Sequence, residues 1–546
     1  MRNWIACLAA LIGTAPALAQ SSGPIAPARM SEIVRTLASA PFEGRAPGTP
    51  GETGTVSWLI DRFKALGLTP GGENGSFVQK VPLVRTRLPG DVAATIGTMR
   101  LAQGREIYLS TVRPAARLTI DKAPLVFVGY GVTAPERGWD DFKGVDLHGK
   151  IAVFLINDPD FAAQPGEPVA GKFGGRREAY YGRWTYKYEE APRRGAIGAL
   201  IVHDAAGAGY GWETVIAPGG ENYDIVRAAG DTRVAVQGWI AQSAAEALFR
   251  AAGLDLAALS ASARRADFRP VPLGSLAFAI DTPVAVSHVE SANVLATIRG
   301  TTHPDETVMF GAHWDAYGVG AADAAGRTIR PGAADDAVGV AGVLELARAF
   351  KAGPAPARTL VFALWTGEER GLLGSETYAT HPLYPLARTV ANLTMDVLQT
   401  AGPAHDVVLV GDGQSDLEDL LAHAAATQHR TITPEALPER GLYFRADHFS
   451  VARRGVPSLL LMGMSGGHDL VAGGRAAGDA WLAGYMKCYH QPCDLWSPGW
   501  DLRGAAQDVD LYYEVGRSLA FGRTWPDWRA GSEFKAIRSA SSGERR

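Results

Sequence analysis

The chain has 546 residues, of which 47% are hydrophobic, so it is long enough for several domains with a sizeable core. Its 53 Lys and Arg residues against 57 Asp and Glu residues give a net charge of -4. The chain shows no long basic run, which argues against nucleic acid as a partner.

Residues 1–19 have the pattern of a secretory signal peptide. Arg2 supplies the positive end, residues 4–12 are apolar, and a small-x-small sequence ends at Ala19. A membrane anchor is the alternative, but the apolar run is too short to span a bilayer comfortably. Cys7 lies inside that run, which argues against a lipoprotein. We expect an exported protein, periplasmic or secreted, that is cleaved after Ala19 and not inserted in a membrane.

Two cysteines, Cys488 and Cys493, remain after that cleavage. Nearby cysteines in an oxidising compartment usually pair. A disulfide here would stiffen a loop that contains His490. Two separate thiols are the alternative.

The first hundred residues begin with a segment, 20–30, that we expect to be a flexible leader. A short helix is predicted over 30–37. A second helix is predicted over 53–66 because its apolar residues have helical spacing. Between them, residues 41–51 are rich in Gly and Pro and predict turns.

From residue 120 to about 270 the pattern indicates a self-contained α/β unit. Its predicted strands and helices are, in order, strands 124–129, 150–156, 196–202 and 234–240, and helices 188–194 and 244–252. The unit has few side chains suited to catalysis, so we expect it to form a wall or lid over a site elsewhere. A passive spacer is the alternative.

After Pro270, apolar strands and helices alternate. The predicted strands lie at 291–298, 307–312, 359–365, 390–395, 407–410 and 457–462, and the helices at 338–351, 373–380, 415–427 and 508–520. Continuous apolar runs joined by helices indicate buried strands in a largely parallel sheet of an α/β fold. We expect residues 20–119 and 271–525 to form this catalytic domain, and 526–546 to be a disordered tail.

The strand at 307–312 leads directly into His313, with Asp315 two residues later. A Gly- and Ala-rich loop follows, and Asp335-Asp336 then begins a helical pattern. Such side chains can meet outside the carboxyl ends of the strands of an open sheet. Imidazole and carboxylate together suit zinc. The alternative is a turn with incidental polar residues and an ordinary helix N-cap.

Two further strands end in acidic residues. Glu368 and Glu369 come shortly after the strand at 359–365, and Asp396 ends the strand at 390–395. One carboxylate of the pair can bind a metal, while its neighbour takes a proton from a water acidified by that metal. A solvated Glu-Glu turn is the alternative.

Towards the end of the chain, His490 offers a second imidazole in a short loop. An earlier loop, residues 441–449, contains Tyr443 and Asp447. Lone histidines are usually structural, and we expect that of four others, which are His303, His381, His405 and His468.

These motifs, in this order, resemble the di-zinc exopeptidase family of secreted bacterial leucyl-type aminopeptidases, to which glutamate carboxypeptidase and the transferrin receptor are related. The resemblance covers residues 30–120 and 270–525, and segment 42–49 is similar to the opening of the family's catalytic unit. Residues 120–270 resemble the protease-associated domain inserted in many members. The implied fold is a mostly parallel mixed sheet sandwiched by helices.

The resemblance also implies two Zn²⁺ ions and a role for each site residue. Asp335 would bridge the ions, and relatives commonly hold the Asp335–Asp336 peptide bond cis. The remaining implied roles are His313 and Asp396 on one ion, Glu369 and His490 on the other, Glu368 as general base, Asp315 orienting His313, and Tyr443 stabilising the oxyanion. Val338 departs from the family pattern, which often has a small polar residue there.

We therefore expect an exported aminopeptidase acting on peptides with a free N-terminus. A carboxypeptidase is the nearest rival, because Arg370 and Arg445 could bind a terminal carboxylate. A glutaminyl cyclase is another, but it would be expected to use one zinc. A non-catalytic binding protein is disfavoured by the full ligand set and by Glu368. The sequence does not determine an oligomeric state.

Overall fold

The computed structural model describes residues 24–228, 230–231 and 233–545. The predicted signal peptide, residues 1–19, lies outside them. Within the described part of the chain, every helix is too short or too polar to cross a membrane. The strands form two mixed sheets, one large and one smaller, and two short hairpins.

The strands are numbered in chain order. They are β1 (Thr69–Pro70), β2 (Val78–Arg87), β3 (Ala93–Ile96), β4 (Met99–Ala102), β5 (Ile107–Ser110), β6 (Arg117–Phe127), β7 (Thr133–Ala134), β8 (Trp139–Asp140), β9 (Ile151–Leu155), β10 (Gly198–Val202), β11 (Glu221–Ile225), β12 (Val236–Ile240), β13 (Val271–Pro283), β14 (Ala285–Ile298), β15 (His303–His313), β16 (Gly318–Val319), β17 (Ile329–Arg330), β18 (Arg358–Trp365), β19 (Thr389–Asp396), β20 (Asp406–Val410), β21 (Thr431–Pro434) and β22 (Ser458–Met462).

The α-helices are numbered in the same way. They are α1 (Pro27–Leu37), α2 (Pro50–Ala65), α3 (Trp184–Arg193), α4 (Ala205–Ala208), α5 (Trp212–Ile216), α6 (Gln242–Ala251), α7 (Leu256–Ser262), α8 (Val338–Ala352), α9 (Leu373–Thr380), α10 (Leu417–Thr427), α11 (His448–Ala452), α12 (Gly474–Tyr485), α13 (Arg503–Phe521) and α14 (Lys535–Ala540).

The large sheet has the order β11-β2-β14-β18-β15-β19-β22-β20-β21, and β1 pairs with β14. Its four central strands, β18, β15, β19 and β22, are parallel. On one side, β14, β2 and β11 follow, each antiparallel to the strand before it. On the other side, β20 is antiparallel to β22. The predicted α/β fold is confirmed, with a mixed sheet that is parallel at its centre.

Helices cover both faces of the large sheet. The main core packs α1, α2, α8 and α13 against one face, and every residue of β18 is buried. Trp365, Tyr378 and Val451 bring α9 and α11 against the other face. Helix α1 begins at Pro27, and Ile25 is buried against this core, so the expected flexible leader is ordered from residue 24 onwards.

The smaller sheet has the order β4-β3-β13-β6-β9-β10-β12-β5. Its parallel centre, β6-β9-β10-β12, corresponds to the strands predicted for the inserted unit. Strands β3 to β5 and β13 also belong to it, so it spans residues 93–283 rather than 120–270. Strands β3 to β5 are only four residues long, too short for a periodic pattern to show. Strand β13 has exposed residues on both sides of its apolar run 276–280. Strand β11, from the middle of this region, pairs instead with β2 of the large sheet.

The end of the chain is packed, which corrects the expectation of a disordered tail. Trp528, Phe534 and Arg538 are at most 2% exposed. The Trp528 indole N–H donates to the Gly455 carbonyl at 3.0 Å. The Arg538 guanidinium donates to the Thr389 carbonyl at 3.0 Å. The two aromatic residues give this polar segment enough apolar area to dock beneath the large sheet.

Candidate metal centre

The candidate ligands lie together at one edge of the large sheet. His313 is the last residue of β15 and Asp396 the last of β19, and these strands are parallel neighbours. Glu368 and Glu369 come three and four residues after β18, which lies on the other side of β15. Asp335 lies in the irregular turn that precedes α8. Parallel strands bring their carboxyl ends to the same edge, so residues distant in sequence converge there.

These side chains form two donor sets that share Asp335. His313, Asp335 and Asp396 form one set, and Asp335, Glu369 and His490 form the other, with the donor atoms of each set within 4.8 Å of one another. The two Asp335 oxygens face different histidines, with Oδ1 3.2 Å from His313 Nε2 and Oδ2 3.2 Å from His490 Nε2. Glu369 Oε2 lies 3.1 Å from His490 Nε2. Asp335 is therefore placed to bridge two cations.

The donor sets suit a metal on chemical grounds. His313 Nε2 is buried and has no hydrogen-bond partner among the described residues. Burial raises the pKa of Asp396, and it raises the pKa of Glu369 to about 7, which shows how costly this cluster of carboxylates is without a cation. Mixed nitrogen and oxygen donors suit zinc, and three protein ligands per ion leave a coordination position open, as in catalytic zinc sites.

Asp315 supports the centre in a different way from that predicted. The main-chain carbonyl of Asp315 lies 3.0 Å from His313 Nδ1, whereas its carboxylate Oδ1 lies 3.7 Å away. That Oδ1 instead accepts a hydrogen bond of 3.1 Å from the backbone N–H of Glu368. The backbone of Asp315 therefore orients the histidine, and its carboxylate positions the turn that carries Glu368.

Glu368 faces the centre but belongs to neither donor set. Its Oε2 is 3.9 Å from His313 Nε2. Burial raises the pKa of Glu368 well above its usual range, and the nearby charges of Asp396, Glu369 and Asp447 raise it further. A carboxyl group with a raised pKa, outside the donor sets, is suited to accepting and returning a proton.

The residue after the shared aspartate fixes the local backbone. The Asp335–Asp336 peptide bond is cis, as the resemblance implies. Asp336 Oδ1 accepts from the N–H groups of Gly339 at 2.9 Å and Val397 at 3.1 Å, which joins the start of α8 to the end of β19. A Cβ at Gly339 would lie 2.2 Å from Asp336 Oδ2, so a larger residue there would displace the carboxylate that makes these hydrogen bonds. Val338, the departure from the family pattern, is buried in the core.

Cys488 and Cys493 form a disulfide, which confirms the predicted pairing. The loop that they close contains His490. Asp494, directly after it, accepts hydrogen bonds from the N–H groups of Ala334 at 2.9 Å and Asp335 at 3.2 Å. The loop that carries His490 is thus tied to the loop that carries the shared aspartate.

Arg45 is a buried support of the centre to which sequence reasoning gave no role. Its side chain is completely buried, and it donates four hydrogen bonds of 2.5 to 2.9 Å to main-chain carbonyls. The acceptors are Trp314, beside His313, together with Leu37, Pro331 and Gly332. Burial lowers the pKa of the guanidinium, and the surrounding aspartates oppose that effect. The available signal was its place in segment 42–49, which resembles the family's opening motif.

Tyr443 does not occupy the place predicted for an oxyanion-stabilising group. It is buried, its hydroxyl has no partner among the described residues, and its ring packs against Phe444 and His448. It is not among the residues that line the cavity beside the metal centre. Tyr317 does line that cavity, and its ring packs on His490 with a centroid distance of 4.4 Å.

A cavity of about 480 Å³ lies between the metal centre and the smaller sheet. Asp335, Glu368 and His490 line one side, and Tyr108 and Trp239 of the smaller sheet line the other. Residues of the smaller sheet therefore form one wall of this cavity.

A partly buried ion-pair network joins the two units beside this cavity. Arg453, just after α11, lies 2.7 Å from Glu189 of α3 and 2.7 Å from Glu376 of α9. Arg454 lies 2.9 Å from Glu376. Although burial alone would raise it, the charges of Arg453 and Arg454 lower the pKa of Glu376 to about 2. The network fixes α9, the helix that follows Glu368 and Glu369, against the inserted unit.

Comparison with known proteins confirms the family resemblance for the catalytic segment. Residues 293–513, which contain both donor sets and Glu368, match the model of Peptidase family M28. A protein of Pyrenophora teres f. teres named "Probable zinc metalloprotease" is 44% identical over 91 residues, which is 17% of this chain and 19% of that protein. The "Vacuolar membrane protease" of Aspergillus clavatus is 38% identical over 122 residues, which is 19% of this chain and 11% of that protein. The chain thus spans about a fifth or less of the length of the curated relatives it matches.

Similar solved structures cover most of the chain at low identity. The aminopeptidase from Aneurinibacillus sp. strain AM-1 is 21% identical, with a TM-score of 0.48, over 91% of this chain and 95% of that one. The zinc aminopeptidase BSAP from Bacillus subtilis is 18% identical, with a TM-score of 0.44, over 94% of this chain and 99% of that one.

Proposed function

We propose that this chain, whose residues 293–513 belong to Peptidase family M28, is an exported di-zinc aminopeptidase that removes N-terminal residues from peptides. The observation that carries the proposal is the pair of donor sets that share Asp335 at the carboxyl edge of the large sheet. The expected preference for a free N-terminus comes from the family resemblance. Export rests on the predicted signal peptide.

His313 and Asp396 would hold one zinc ion, Glu369 and His490 the other, and Asp335 both. When bound, two such ions supply Lewis-acid polarisation of a substrate carbonyl and acidify the attacking water. Glu368 stands outside the donor sets and can take a proton from that water. It can then return the proton to the nitrogen that leaves when the peptide bond breaks.

The shape of the site assists this reaction. The wall formed by the smaller sheet removes bulk water from one side of the cavity, which strengthens the electrostatic interactions inside it. Burial of Glu368 raises its pKa and so its affinity for a proton, which suits a group that takes a proton from water and later returns it.

The first experiment is to measure metal content per purified chain, together with hydrolysis of leucyl-anilides with free and blocked N-termini, with and without chelator. We expect two zinc ions and chelator-sensitive release from the free substrates only. One zinc ion would instead support a glutaminyl cyclase. Activity confined to blocked or C-terminal substrates would support a carboxypeptidase.

Ligand variants test the shared aspartate directly. Asp335→Asn should lose both ions, whereas Asp396→Asn should lose one. Asp305→Asn is the matched control, because Asp305 is an exposed carboxylate near the start of the same strand as His313. Retention of two ions by Asp335→Asn would contradict the bridging assignment. The exported protein should have Gln20 as its first residue, which N-terminal sequencing can check.

A further inference from the structure

Six arginines line the cavity beside the metal centre, and they fall into two classes. Four have a carboxylate partner within 3.7 Å, which gives the pairs Arg183–Glu178, Arg227–Asp224, Arg233–Asp224 and Arg453–Glu189. The other two, Arg370 and Arg445, make no side-chain hydrogen bond and no ion pair with any described residue. Paired arginines hold the walls together, so the unpaired ones need another explanation.

Arg370 is held in place by two aromatic rings. Its guanidinium carbon lies 5.3 Å from the ring centroid of Tyr223 and 5.0 Å from that of Tyr317. Such contacts with ring faces hold a guanidinium group and leave its N–H groups free for hydrogen bonds. Because Tyr317 also packs on His490, Arg370 has a fixed position relative to one donor set.

Arg445 lies in the loop before α11 and is half-buried. Burial acts to lower the pKa of its guanidinium, but Tyr489 and Tyr210 and the carboxylates of Glu178 and Glu368 raise it, so the group keeps its charge. It lies two residues after Tyr443, in the loop predicted to contribute a catalytic side chain. The residue of this loop that reaches the cavity with free hydrogen-bond donors is therefore Arg445 rather than Tyr443.

The metal centre does not neutralise these two arginines. The carboxylates of Asp335, Glu369 and Asp396 would be engaged by the two zinc ions, and Glu368 by the proton that it transfers. Arg370 and Arg445 would then remain as unpaired cations inside a partly closed cavity, where an uncompensated charge is costly. A bound anion would offset that cost through charge-assisted hydrogen bonds.

We infer that Arg370 and Arg445 form a carboxylate-binding subsite, and that the preferred substrates are short peptides that carry a carboxylate close to the scissile bond. This inference rests on the proposed function. A cavity of about 480 Å³ is within the range of small-molecule sites, which suits a short peptide. The carboxylate can come from the C-terminus of a dipeptide or from an acidic side chain.

Two pairs of substrates distinguish the sources of the carboxylate. Leu-Ala against Leu-Ala-amide tests the C-terminal carboxylate, and Glu-Ala-amide against Gln-Ala-amide tests the side chain. We expect kcat/KM to favour the carboxylate member of at least one pair by about tenfold or more, as hydrogen bonds to a charged group would give. Arg445→Gln and Arg370→Gln should each reduce that ratio towards one.

Arg227→Gln is the matched control, because Arg227 lines the same cavity but pairs with Asp224. It should keep the wild-type ratio. The same substrate pairs are also titrated calorimetrically into zinc-loaded Glu368→Gln, with and without Arg445→Gln, so that binding is measured without turnover. This measurement decides on the subsite even if the chain has no peptidase activity.

Each outcome bears on a separate claim. Loss of the preference in the arginine variants supports the subsite and identifies the carboxylate source by the pair affected. If the protein with Arg370 and Arg445 intact shows equal kcat/KM and equal affinity for the two members of each substrate pair, the subsite is overturned. A preference that survives both arginine substitutions would also overturn it. Absence of all hydrolysis would count against the proposed function alone.

Discussion

Replacement of Arg45 by methionine should damage both the stability of the catalytic domain and its affinity for zinc. The side chain is fully buried, and its loss would leave four main-chain carbonyls without their donors. Hydrogen bonds to a charged group contribute roughly 1.5 kcal/mol or more each, which gives about 6 kcal/mol for the four. Removal of a buried charge recovers part of its desolvation cost, so we expect a net loss of about 3–5 kcal/mol.

The effect on zinc follows from which carbonyls are released. Trp314 adjoins His313, and Pro331 and Gly332 begin the loop that carries Asp335. Loss of groups that orient metal ligands typically lowers metal affinity by about 10- to 100-fold. Arg45→Met should therefore need a correspondingly higher free zinc concentration to fill its sites.

The assay combines urea unfolding of the metal-free protein, followed by tryptophan fluorescence, with zinc titration against a competing chelator. Arg35→Met is the matched control, because Arg35 is an exposed arginine on the neighbouring helix α1 and its loss should change stability by no more than about 0.5 kcal/mol. If Arg45→Met unfolds within 1 kcal/mol of the wild type and binds zinc normally, the support role given to Arg45 is wrong.

Three other predictions follow from the site and its surroundings. Glu368→Gln should keep both metal ions but lose about 10²- to 10⁴-fold in kcat, and normal turnover with full metal content would contradict its role as base. Replacement of both Cys488 and Cys493 by serine should lower the free energy of unfolding by about 2 kcal/mol, from the loop-entropy relation. It should also weaken zinc binding, mainly at the set that contains Glu369 and His490. Denaturation and metal content measure the two effects, and unchanged metal content would show that the disulfide does not position His490. The pKa of Glu376 is lowered from 4.5 to about 2, so the folded state favours the carboxylate. This preference stabilises the fold by about 3 kcal/mol above pH 4.5. The stabilisation is lost as the pH falls towards 2. Unfolding measured between pH 3 and 7 should be less acid-sensitive in Glu376→Gln, and an equal slope in both proteins would refute that assignment.

The parts of the fold that sequence could predict are those where local pattern and long-range packing agree. The central parallel strands are buried on both faces, so they appear as continuous apolar runs. His313, Asp396 and the pair Glu368-Glu369 each follow such a run. Because parallel strands end at one edge of a sheet, their convergence with Asp335 could be expected before any coordinates.

The parts that could not be predicted depend on contacts between distant segments. Strands β3, β4 and β5 are only four residues long each. The membership of β3 and β5 in the smaller sheet depends on pairing with β13 and β12, which lie far along the chain. The role of Arg45 depends on carbonyls of loops almost 300 residues away, and carbonyls carry no sequence signal. The direction of Tyr443 depends on how its loop packs, since its neighbour Arg445 reaches the cavity instead.

The way the chain passes between the two sheets limits how the cavity can open. It leaves the large sheet after β2, returns for β11, leaves again for β12 and β13, and rejoins it at β14. A domain attached by a single hinge could swing freely. The unit that contains the smaller sheet is instead held by several connecting segments, by β11 within the large sheet, and by the ion pair between Arg453 and Glu189. The cavity should therefore be preorganised when the chain folds, so that substrates lose little binding energy to closing it, and selectivity among peptides should reside in fixed charges more than in motion.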